Sequence, residues 1–587
     1  MGASAPGSGM RPRRDLDMQT LHADVLVVGG GYAGCFAAVR AAEAGARVVM
    51  VVKGRAGRSG LTPWANSFFV FSDTRGVSRE DYLRQFVLSG EYLANLDFAS
   101  LLVDESYERY LELSRWGARS GRSHYYQPGT VTRSIELVDA GDAMRARVLA
   151  AGVRLVERVM VTGLVKEGCR VRGAVGFHME SGRPYAVLAP ATVLCSGPAS
   201  FRPLGMGYPC AAATADGDAM AYRAGAEIAG KEFNDGHPAR PANPLLETPA
   251  FDVPASSPLV PGGGPPSADA PAAQLDAARL GMRTMSAAGV HQGGVPIDPR
   301  WIYTPGSTAG GRGGEPAGPF AAAPGYSTPG MSNHKAEGVF PHDLDGASNV
   351  PGLWAAGDAL SSMQNGAGYA GFGCSSAGSA VQGDRAGRAA ARYALGAGGP
   401  QVPAGAIREH ALETLDPLAR ARGFSPAWVL RLLQGTMFPY YVLYVKERRR
   451  MELALAQVAY LQETYAPQLK AADAHGLRLA HETRNMLLNA EMKLRAGLAR
   501  EESRGTHYRE DFPCRDDARF LCWIKLVERD GAMAAVQHPL PREWRPDPAL
   551  GYRDRYPVAF PGEDACLAAG SGPAAPGPAA PGSPARA

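Results

Sequence analysis

The glycine run GGGYAG, which begins at Gly29, has the clearest potential for chemistry because it fits the pattern G-x-G-x-x-G. In that pattern the first glycine permits a tight turn and the second lets the backbone approach a pyrophosphate. The third lets a helix pack closely on a strand. These roles fall to Gly29, Gly31 and Gly34, with Tyr32 and Ala33 between them. A following helix would offer free N–H groups to phosphates, so the run predicts a dinucleotide site.

The sequence on either side of the run has the spacing of a strand–helix–strand unit. Residues 24–28 are apolar and β-branched, residues 35–44 space small residues as a helix does, and residues 46–52 predict a second strand. The alternatives are a chance match, since the chain has 72 glycines, and an ordinary turn of a βαβ unit. The acid that usually ends the second strand and holds a ribose is absent, and Lys53 follows the strand instead.

Further small and acidic residues follow other predicted strands and open predicted helices. Ser196 and Gly197 end a buried strand and would allow a ligand to approach closely. Asp216 opens a helix predicted to reach residue 229, where simple helix capping is the competing explanation. Asp358 ends a strand that starts at Leu353, and a small-residue helix follows over residues 375–395.

Composition describes an ordinary globular protein. The chain has 587 residues, 45% hydrophobic and 20% charged residues and a net charge of +4, which allows two or three domains. This charge is too small to argue for nucleic-acid binding, and we interpret the basic cluster at 446–450 as a solvated helix face. No apolar run is long enough to predict a membrane-spanning helix.

The eight cysteines are scattered and include no C-x-x-C pair, which disfavours an iron–sulfur cluster or structural zinc within the chain; no metal site is predicted. The pattern favours free thiols in a reducing, cytoplasmic compartment. The amino terminus has no apolar segment typical of a signal peptide.

The predicted fold class is α/β, with a Rossmann-like nucleotide-binding domain, an inserted small cap and a C-terminal helical domain. The cap is rich in Pro, Gly and Ala and is predicted to be loop-rich. The predicted boundaries are a flexible lead (1–21), a discontinuous nucleotide-binding domain (22–237 and 330–400), the cap (238–329), the helical domain (401–545) and a tail that is disordered at its end (546–587).

Four motifs, in order, resemble the flavoprotein family of fumarate reductase and succinate dehydrogenase, which also holds L-aspartate oxidase and adenylylsulfate reductase. The resemblance covers residues 23–235, 331–400 and the helical segment to about 530, and it is weak or absent across the cap. The motifs are GGGYAG (29–34), TADGDAMA (214–221), PGLWAAGD (351–358) and REESRGTHYREDFPCRDD (500–517).

The resemblance implies FAD as the dinucleotide. In the family a Ser-Lys pair often replaces the strand-ending acid, and Lys53 would keep its basic half near the phosphates. Asp216 and Asp358 match positions that contact FAD, with Asp358 reaching the ribitol. Cys374 and Ser375 match the backbone N–H pair at the flavin O2 side, where a helix N-terminus would stabilise a reduced flavin.

Two departures from the family's pattern carry information. Arg58-Ser59-Gly60 stands where respiratory members have Arg-Ser-His and attach flavin through the His, so FAD is expected to be noncovalent. Tyr369 stands where dicarboxylate-converting members have the Arg that clamps a substrate carboxylate, and a Tyr cannot replace its bidentate charge.

The resemblance also points to His237, His334 and Tyr369 as candidate catalytic residues, although either histidine could instead be a satisfied core residue. We expect an FAD-dependent oxidoreductase nearest the adenylylsulfate reductase side of the family. It would exchange hydride or electrons between a small organic or oxyanion substrate and a separate small iron–sulfur, ferredoxin-like subunit. The alternatives are a fumarate reductase or L-aspartate oxidase proper, and a non-catalytic flavin-binding electron-relay subunit.

Overall fold

The computed structural model describes residues 16–63, 67–71, 78–125, 133–202, 213–235, 331–332, 335–368, 373–437, 440–443, 445–557, 559–560 and 562–570. The predicted cap at 238–329 and the three candidate catalytic residues, His237, His334 and Tyr369, lie outside these residues.

The strands of the described residues are numbered in chain order. They are β1 (Gln19–His22), β2 (Val25–Val28), β3 (Val48–Val52), β4 (Ser67–Val70), β5 (Arg119–Tyr125), β6 (Arg133–Val138), β7 (Arg154–Glu157), β8 (Val159–Glu167), β9 (Arg170–His178), β10 (Pro184–Leu188), β11 (Ala191–Leu194), β12 (Ile228–Ala229), β13 (Asn234–Asp235), β14 (Met331–Ser332), β15 (Gly338–Val339), β16 (Leu353–Ala355), β17 (Val445–Lys446), β18 (Tyr508–Arg509), β19 (Cys522–Arg529) and β20 (Ala532–Pro539).

The α-helices of the described residues are numbered in the same way. They are α1 (Tyr32–Glu43), α2 (Arg79–Ser89), α3 (Leu96–Arg115), α4 (Ala140–Ala150), α5 (Asp216–Arg223), α6 (Cys374–Gly396), α7 (Ala404–Ala419), α8 (Pro426–Met437), α9 (Tyr440–Leu443), α10 (Arg448–Tyr460), α11 (Ala474–Ala499), α12 (Asp517–Phe520), α13 (Tyr552–Arg555) and α14 (Glu563–Ala568).

A five-stranded parallel sheet in the order β16-β11-β2-β3-β7 organises the nucleotide-binding part. β2 pairs with β3 from Val25↔Val48 and with β11 from Val25↔Ala191, and every residue of these three strands is buried. Continuous apolar sequences are typical of parallel strands that are covered on both faces. The α/β fold class predicted from the sequence is confirmed.

Helices α1 and α6 pack against each other through glycine. A Cβ added at Gly383 would overlap the carbonyl oxygen of Ala33, and one at Gly387 would overlap that of Ala37. The two backbones can therefore come this close only because α6 lacks side chains at these positions. Their contact brings the start of α6 to the same end of the sheet as the glycine turn before α1.

Two further sheets extend the body and modify the predicted organisation. β1 pairs in parallel with β10 in the sheet β1-β10-β9-β8, so residues 19–21, which belong to the segment predicted to be a flexible lead, are part of a strand. The hairpin β19–β20 joins β12 and β15 in a second sheet. The C-terminal segment thus contributes strands as well as helices, because Ile524 and Leu526 are buried with Ile228 in one apolar cluster.

The basic cluster at 446–450 differs from the prediction. Lys446 is 1% exposed, and it lies on β17, which pairs in parallel with Tyr508–Arg509. Pairing with β18 takes this residue out of a helix and into the interior, so the solvated helix face begins only at Arg448. The prediction was wrong for Lys446 because the pairing joins segments about sixty residues apart, which local periodicity does not record.

Two of the cysteines also differ from expectation, and one of them, Cys566, lies in the segment predicted to be a tail. Cys514 and Cys566 form a disulfide, so the prediction of free thiols was wrong for this pair. Cys35, Cys195, Cys374 and Cys522 are buried free thiols. Across the described residues, no helix combines the length and the apolar character that crossing a membrane requires.

Candidate active site

The glycine turn between β2 and α1 has the geometry that its sequence predicts. Gly29 has φ +113°, and a Cβ there would overlap the carbonyl oxygen of Cys195. A Cβ at Gly34 would overlap the carbonyl oxygen of Gly29, and one at Gly31 would lie 2.8 Å from Thr62 Oγ1. The backbone at the start of α1 is therefore bare, and the first turn of the helix carries no acidic side chain that would offset its positive end.

Lys53 and Asp216, predicted separately, are brought together. Lys53 Nζ donates to Asp216 Oδ2 at 2.7 Å and to Thr214 Oγ1 at 2.8 Å. It also donates to Glu482 Oε1 at 3.1 Å, across from helix α11. Burial opposes the charged form of Lys53, but the carboxylates of Asp216 and Glu482 prevail and raise its pKa. Asp216 is thus held by a charged partner, an interaction that the competing explanation from the sequence, simple helix capping, does not include.

Glu482 is a site residue that sequence reasoning missed. Its side chain is 1% exposed and accepts from Lys53, Arg202 and Arg478. The carboxylate therefore ties the C-terminal helix α11 to the end of β3. No local signal could have indicated this role, because Glu482 lies 429 residues from Lys53 in an ordinary amphipathic helix.

Asp358 lies on a 3₁₀ turn, Gly357–Ala359, wedged between α1 and α6. Gly357 has φ +73°, and a Cβ there would lie 2.8 Å from Ala33 Cβ. Lys335 Nζ lies 3.2 Å from Asp358 Oδ1 and donates to Ser379 Oγ at 2.8 Å. Lys335 is fully buried, and burial lowers its pKa although Asp358 opposes the shift. The one sequence signal for Lys335 as a site residue is its position directly after His334, a candidate catalytic residue.

Two predicted serines present hydroxyls that are buried without a partner. Among the residues that the structure describes, Ser196 Oγ and Ser375 Oγ have no hydrogen-bond partner. A Cβ at Gly217 would overlap Ser196 Oγ, which places the end of β11 against the start of α5. Buried hydroxyls are normally satisfied, so these two atoms have capacity left to bind polar groups of a ligand.

The N-terminus of α6 is likewise without a cap. Gly373 precedes the helix with φ +82°, makes no side-chain cap, and no acidic residue stands in the first turn. Cys374 is buried, and burial raises the pKa of its thiol well above the ordinary value, so it is a neutral group here. The bare N–H groups, the glycine turn and the unpartnered hydroxyls together fit a dinucleotide whose charged groups they would bind.

The contacts of four further residues predicted to bind the cofactor do not involve the polar groups described above. Arg58 pairs with Asp142 at the surface, Nε to Oδ1 2.8 Å, and so is not turned toward Lys53 or Asp216. Ser59 Oγ donates to the carbonyl oxygen of Arg55 at 2.8 Å. Gly60 and Gly197 have φ +70° and +79°, and a Cβ at either would meet open space.

The side chain of Tyr32 belongs to the core. It is 4% exposed, and its ring centroid lies 5.9 Å from that of Phe68. Any contribution of Tyr32 or Ala33 to a phosphate site therefore comes from backbone N–H groups at the helix start.

The C-terminal motif 500–517 forms a buried ionic network beneath the loop that leads to Tyr369. Arg504 donates to both oxygens of Glu502, at 2.7 and 2.8 Å, and Arg515 donates to both oxygens of Glu91, each at 2.8 Å. Glu91 also accepts from the N–H of Gly505 at 2.9 Å. The network fixes the loop at Gly505. The sequence indicated this loop only as part of a motif that resembles a family pattern.

Comparisons with known proteins agree with this geometry. Residues 24–242 match the family described as FAD binding domain, and residues 431–539 match the family described as Fumarate reductase flavoprotein C-term. The chain is 27% identical over 552 residues to one of the subunits of the fumarate reductase (CoM/CoB) of Methanothermobacter marburgensis, covering 85% of this chain and 96% of that protein.

Solved structures share the fold at low identity. The quinol fumarate reductase of E. coli has a TM-score of 0.69 at 20% identity and covers 89% of this chain and 97% of its own. The adenylylsulfate reductase of Archaeoglobus fulgidus has a TM-score of 0.66 at 19% identity, with 91% and 98% covered. The fold alone does not separate these two chemistries.

The parallel sheet, the glycine turn and the polar groups at its end fit the FAD binding domain that the sequence matches, and the chain is an FAD-dependent oxidoreductase. The resemblance to the fumarate reductase/succinate dehydrogenase flavoproteins that the four motifs carry is confirmed, because both an FAD-binding model and a fumarate reductase flavoprotein model match the chain.

Proposed function

We propose that this protein binds FAD noncovalently and passes electrons between a small oxyanion-bearing substrate and a separate iron–sulfur, ferredoxin-like subunit. The main support is the pair of departures at Gly60 and Tyr369, which remove a histidine attachment point and a carboxylate-clamping guanidinium while the cofactor turn is intact. The sequence has no C-x-x-C pair to hold a cluster, so the proposal places the electron acceptor or donor on another chain.

The residues that would hold FAD have distinct tasks. The starts of α1 and α6 carry no side-chain cap, so their backbone N–H groups would face the negative charge of FAD, and the helix dipoles add to the effect. FAD supplies the hydride and electron chemistry when bound. Lys335 neutralises Asp358 and fixes its carboxylate, while Lys53 does the same for Asp216. His237, His334 and Tyr369 are proposed as the groups that orient the substrate or handle its proton.

The deciding experiment is an anaerobic titration of the purified protein, followed through the flavin absorbance. We expect a yellow protein that succinate does not bleach and that a reduced ferredoxin-like protein, identified by pull-down, does bleach. A flavin that no donor can reduce would contradict an enzymatic role and an electron relay alike, and would favour a flavin-binding subunit that only stabilises a complex.

A fumarate reductase proper is the second candidate. It is supported by the alignment with the Methanothermobacter marburgensis protein, which runs over 96% of that protein's length. Steady-state fumarate turnover with a reduced viologen separates the two proposals, because our first proposal expects none. The cytoplasmic location expected from the sequence also stays a prediction, which cell fractionation tests.

A further inference from the structure

Three neighbouring polar side chains in the C-terminal part are buried with hydrogen-bonding capacity left unfilled. Lys446 is 1% exposed, and Thr506 and His507 are fully buried. Thr506 Oγ1 and His507 Nδ1 have no hydrogen-bond partner in the described part of the chain. Lys446 Nζ donates to the carbonyl oxygen of Glu232 at 3.2 Å, which uses one of its three hydrogens. Unsatisfied buried groups are costly, so a cluster of them needs an explanation.

The hydrogen bonds around His507 define what its ring can do. The ring Nε2 lies 3.1 Å from the carbonyl oxygen of Arg500, which can only accept, so Nε2 carries a hydrogen. Nδ1 is then a bare acceptor in the neutral ring. The charge of Lys446 acts on the ring, since β17 pairs Lys446 with Arg509, two residues further along than His507. Burial first, and then the positive charge of Lys446, holds the pKa of His507 well below its ordinary value.

The cluster lies against the segments that lead to the candidate catalytic residues. Thr506 N–H donates to the carbonyl oxygen of Ala367 at 2.9 Å, and a Cβ at Gly505 would overlap that same oxygen. Ala367 is two residues before Tyr369. On the other side, the His507 ring centroid lies 6.4 Å from that of Phe233, four residues before His237.

We propose that Lys446, Thr506 and His507 form a subsite for the negatively charged oxygens of the substrate, in place of the guanidinium absent at position 369. This inference rests on the proposed function. Lys446 and Thr506 would donate to one oxyanion group, and His507 would donate through Nδ1 after taking up a proton. A carboxylate and a sulfonate offer the same chemistry, and the experiment below separates them.

We expect His507 to take up a proton when an anion binds, because the positive charge around the cluster disfavours the protonated ring only while no anion is present. Without an anion, burial and these positive charges hold the pKa of His507 down, and an anion bound beside the ring would raise it. Affinity for an anion should therefore fall as pH rises. The charged groups that face the two residues are Lys493 on α11, Arg500 at its end, Arg509 on β18 and Glu232 after β12.

The test measures anion binding to the FAD-loaded protein through changes in its visible flavin spectrum. Malonate, fumarate and methanesulfonate serve as probes, and malonamide serves as the uncharged counterpart of malonate. We expect at least one anion to bind, and Thr506→Val and Lys446→Met to weaken it by about 10- to 100-fold, the loss typical of a charged hydrogen bond. Malonamide binding should be unchanged.

The matched control is Thr192→Val. Thr192 Oγ1 on β11 is also fully buried without a partner, but it lies in the central sheet. This variant should bind the anions as the parent does. Flavin content and Tm establish that each variant is folded, and where Lys446→Met does not fold, Thr506→Val decides.

Two results would overturn the subsite. One is a parent protein whose flavin spectrum responds to none of the three anions, and the other is equal affinity in the parent and both variants, as expected if the cluster holds only water. The proposed function fails separately, when no donor reduces the bound flavin. Anion binding that Thr506→Val weakens would then still support the subsite.

Discussion

Gly29 is the position where one added methyl group should be most damaging to the cofactor site. Its φ of +113° strains any other residue, and the new Cβ would overlap the carbonyl oxygen of Cys195. We expect Gly29→Ala to cost about 3 kcal/mol or more, the sum of backbone strain and overpacking, and to abolish FAD binding. Urea unfolding and flavin absorbance measure the two effects.

Gly45→Ala is the control that separates strain from overlap. Gly45 has φ +90°, but a Cβ there meets nothing within 4 Å. This variant should lose only about 1–2 kcal/mol and keep its flavin. Equal losses of stability in both variants would show that backbone strain, and not the close approach of Gly29 to the carbonyl oxygen of Cys195, explains why glycine stands at this position.

Lys335 is the buried charge most closely tied to the predicted flavin site. Replacing Lys335 with Met would leave Asp358 without its cation, which costs about 3–5 kcal/mol for a buried pair. We expect Lys335→Met to lower the Tm and to weaken FAD binding. The double variant K335M/D358N removes both charges and should recover much of the stability but not the FAD affinity. Full FAD affinity in either variant would exclude a role for the pair in cofactor binding.

Gly60 determines whether the flavin is covalently attached. With no nucleophilic side chain at this position, FAD should be released when the protein is denatured. We expect acid precipitation to leave a yellow supernatant and a colourless pellet. Flavin absorbance that stays with the precipitated chain would show an attachment elsewhere.

At the scale of elements, helix α11 couples stability to pH through His481. Its Nε2 lies 2.8 Å from the carbonyl oxygen of Thr414 on α7, and burial lowers its pKa to about 4 although that hydrogen bond opposes the shift. The unfolded chain binds a proton near the ordinary pKa of 6.5, so the stabilisation is complete above that pH and is lost toward pH 4.

Between about pH 7.5 and 5, this residue should lower the free energy of unfolding by about 2 kcal/mol. His481→Gln can keep the donor to Thr414 but does not titrate, so its stability should fall by that much less over the same range. Urea unfolding at the two pH values measures the difference. Identical pH slopes for parent and variant would contradict the pKa shift of His481.

The elements were predictable where the signal is local. Periodicity and glycine placement were enough to predict β2, α1, β3 and α6, which hold the cofactor turn. The pairing of β12 with β19 and of β17 with β18 was not predictable, because β12, β17 and β18 have only two residues each and so carry no period. Of the site, the sequence indicated Asp216 and Asp358, but their partners Glu482 and Lys335 depend on contacts that only the folded chain makes.

At the scale of the whole molecule, the C-terminal segment is hydrogen-bonded to the buried ionic network of the motif 500–517. Glu563 is fully buried on α14 and accepts from Arg515 at 2.7 Å, and Arg515 donates in turn to Glu91. Glu91 then holds the N–H of Gly505, whose loop touches Ala367. A segment expected from its sequence to be a tail is thus connected, through three buried charges, to the loop that leads to Tyr369.

Removing the charge of Glu563 should therefore affect both the stability of the protein and the loop that leads to Tyr369. Glu563→Gln would leave Arg515 partly uncompensated, and we expect a loss of about 3 kcal/mol in the free energy of unfolding. The matched control is Asp564→Asn, since Asp564 is 81% exposed and its surface pair with Arg553 is worth at most about 1 kcal/mol. Because the network fixes the loop at Gly505, Glu563→Gln should also raise the KM for substrate, whereas Asp564→Asn should leave it unchanged. A destabilised Glu563→Gln with a normal KM would mean that the C-terminal segment supports the fold without positioning the site.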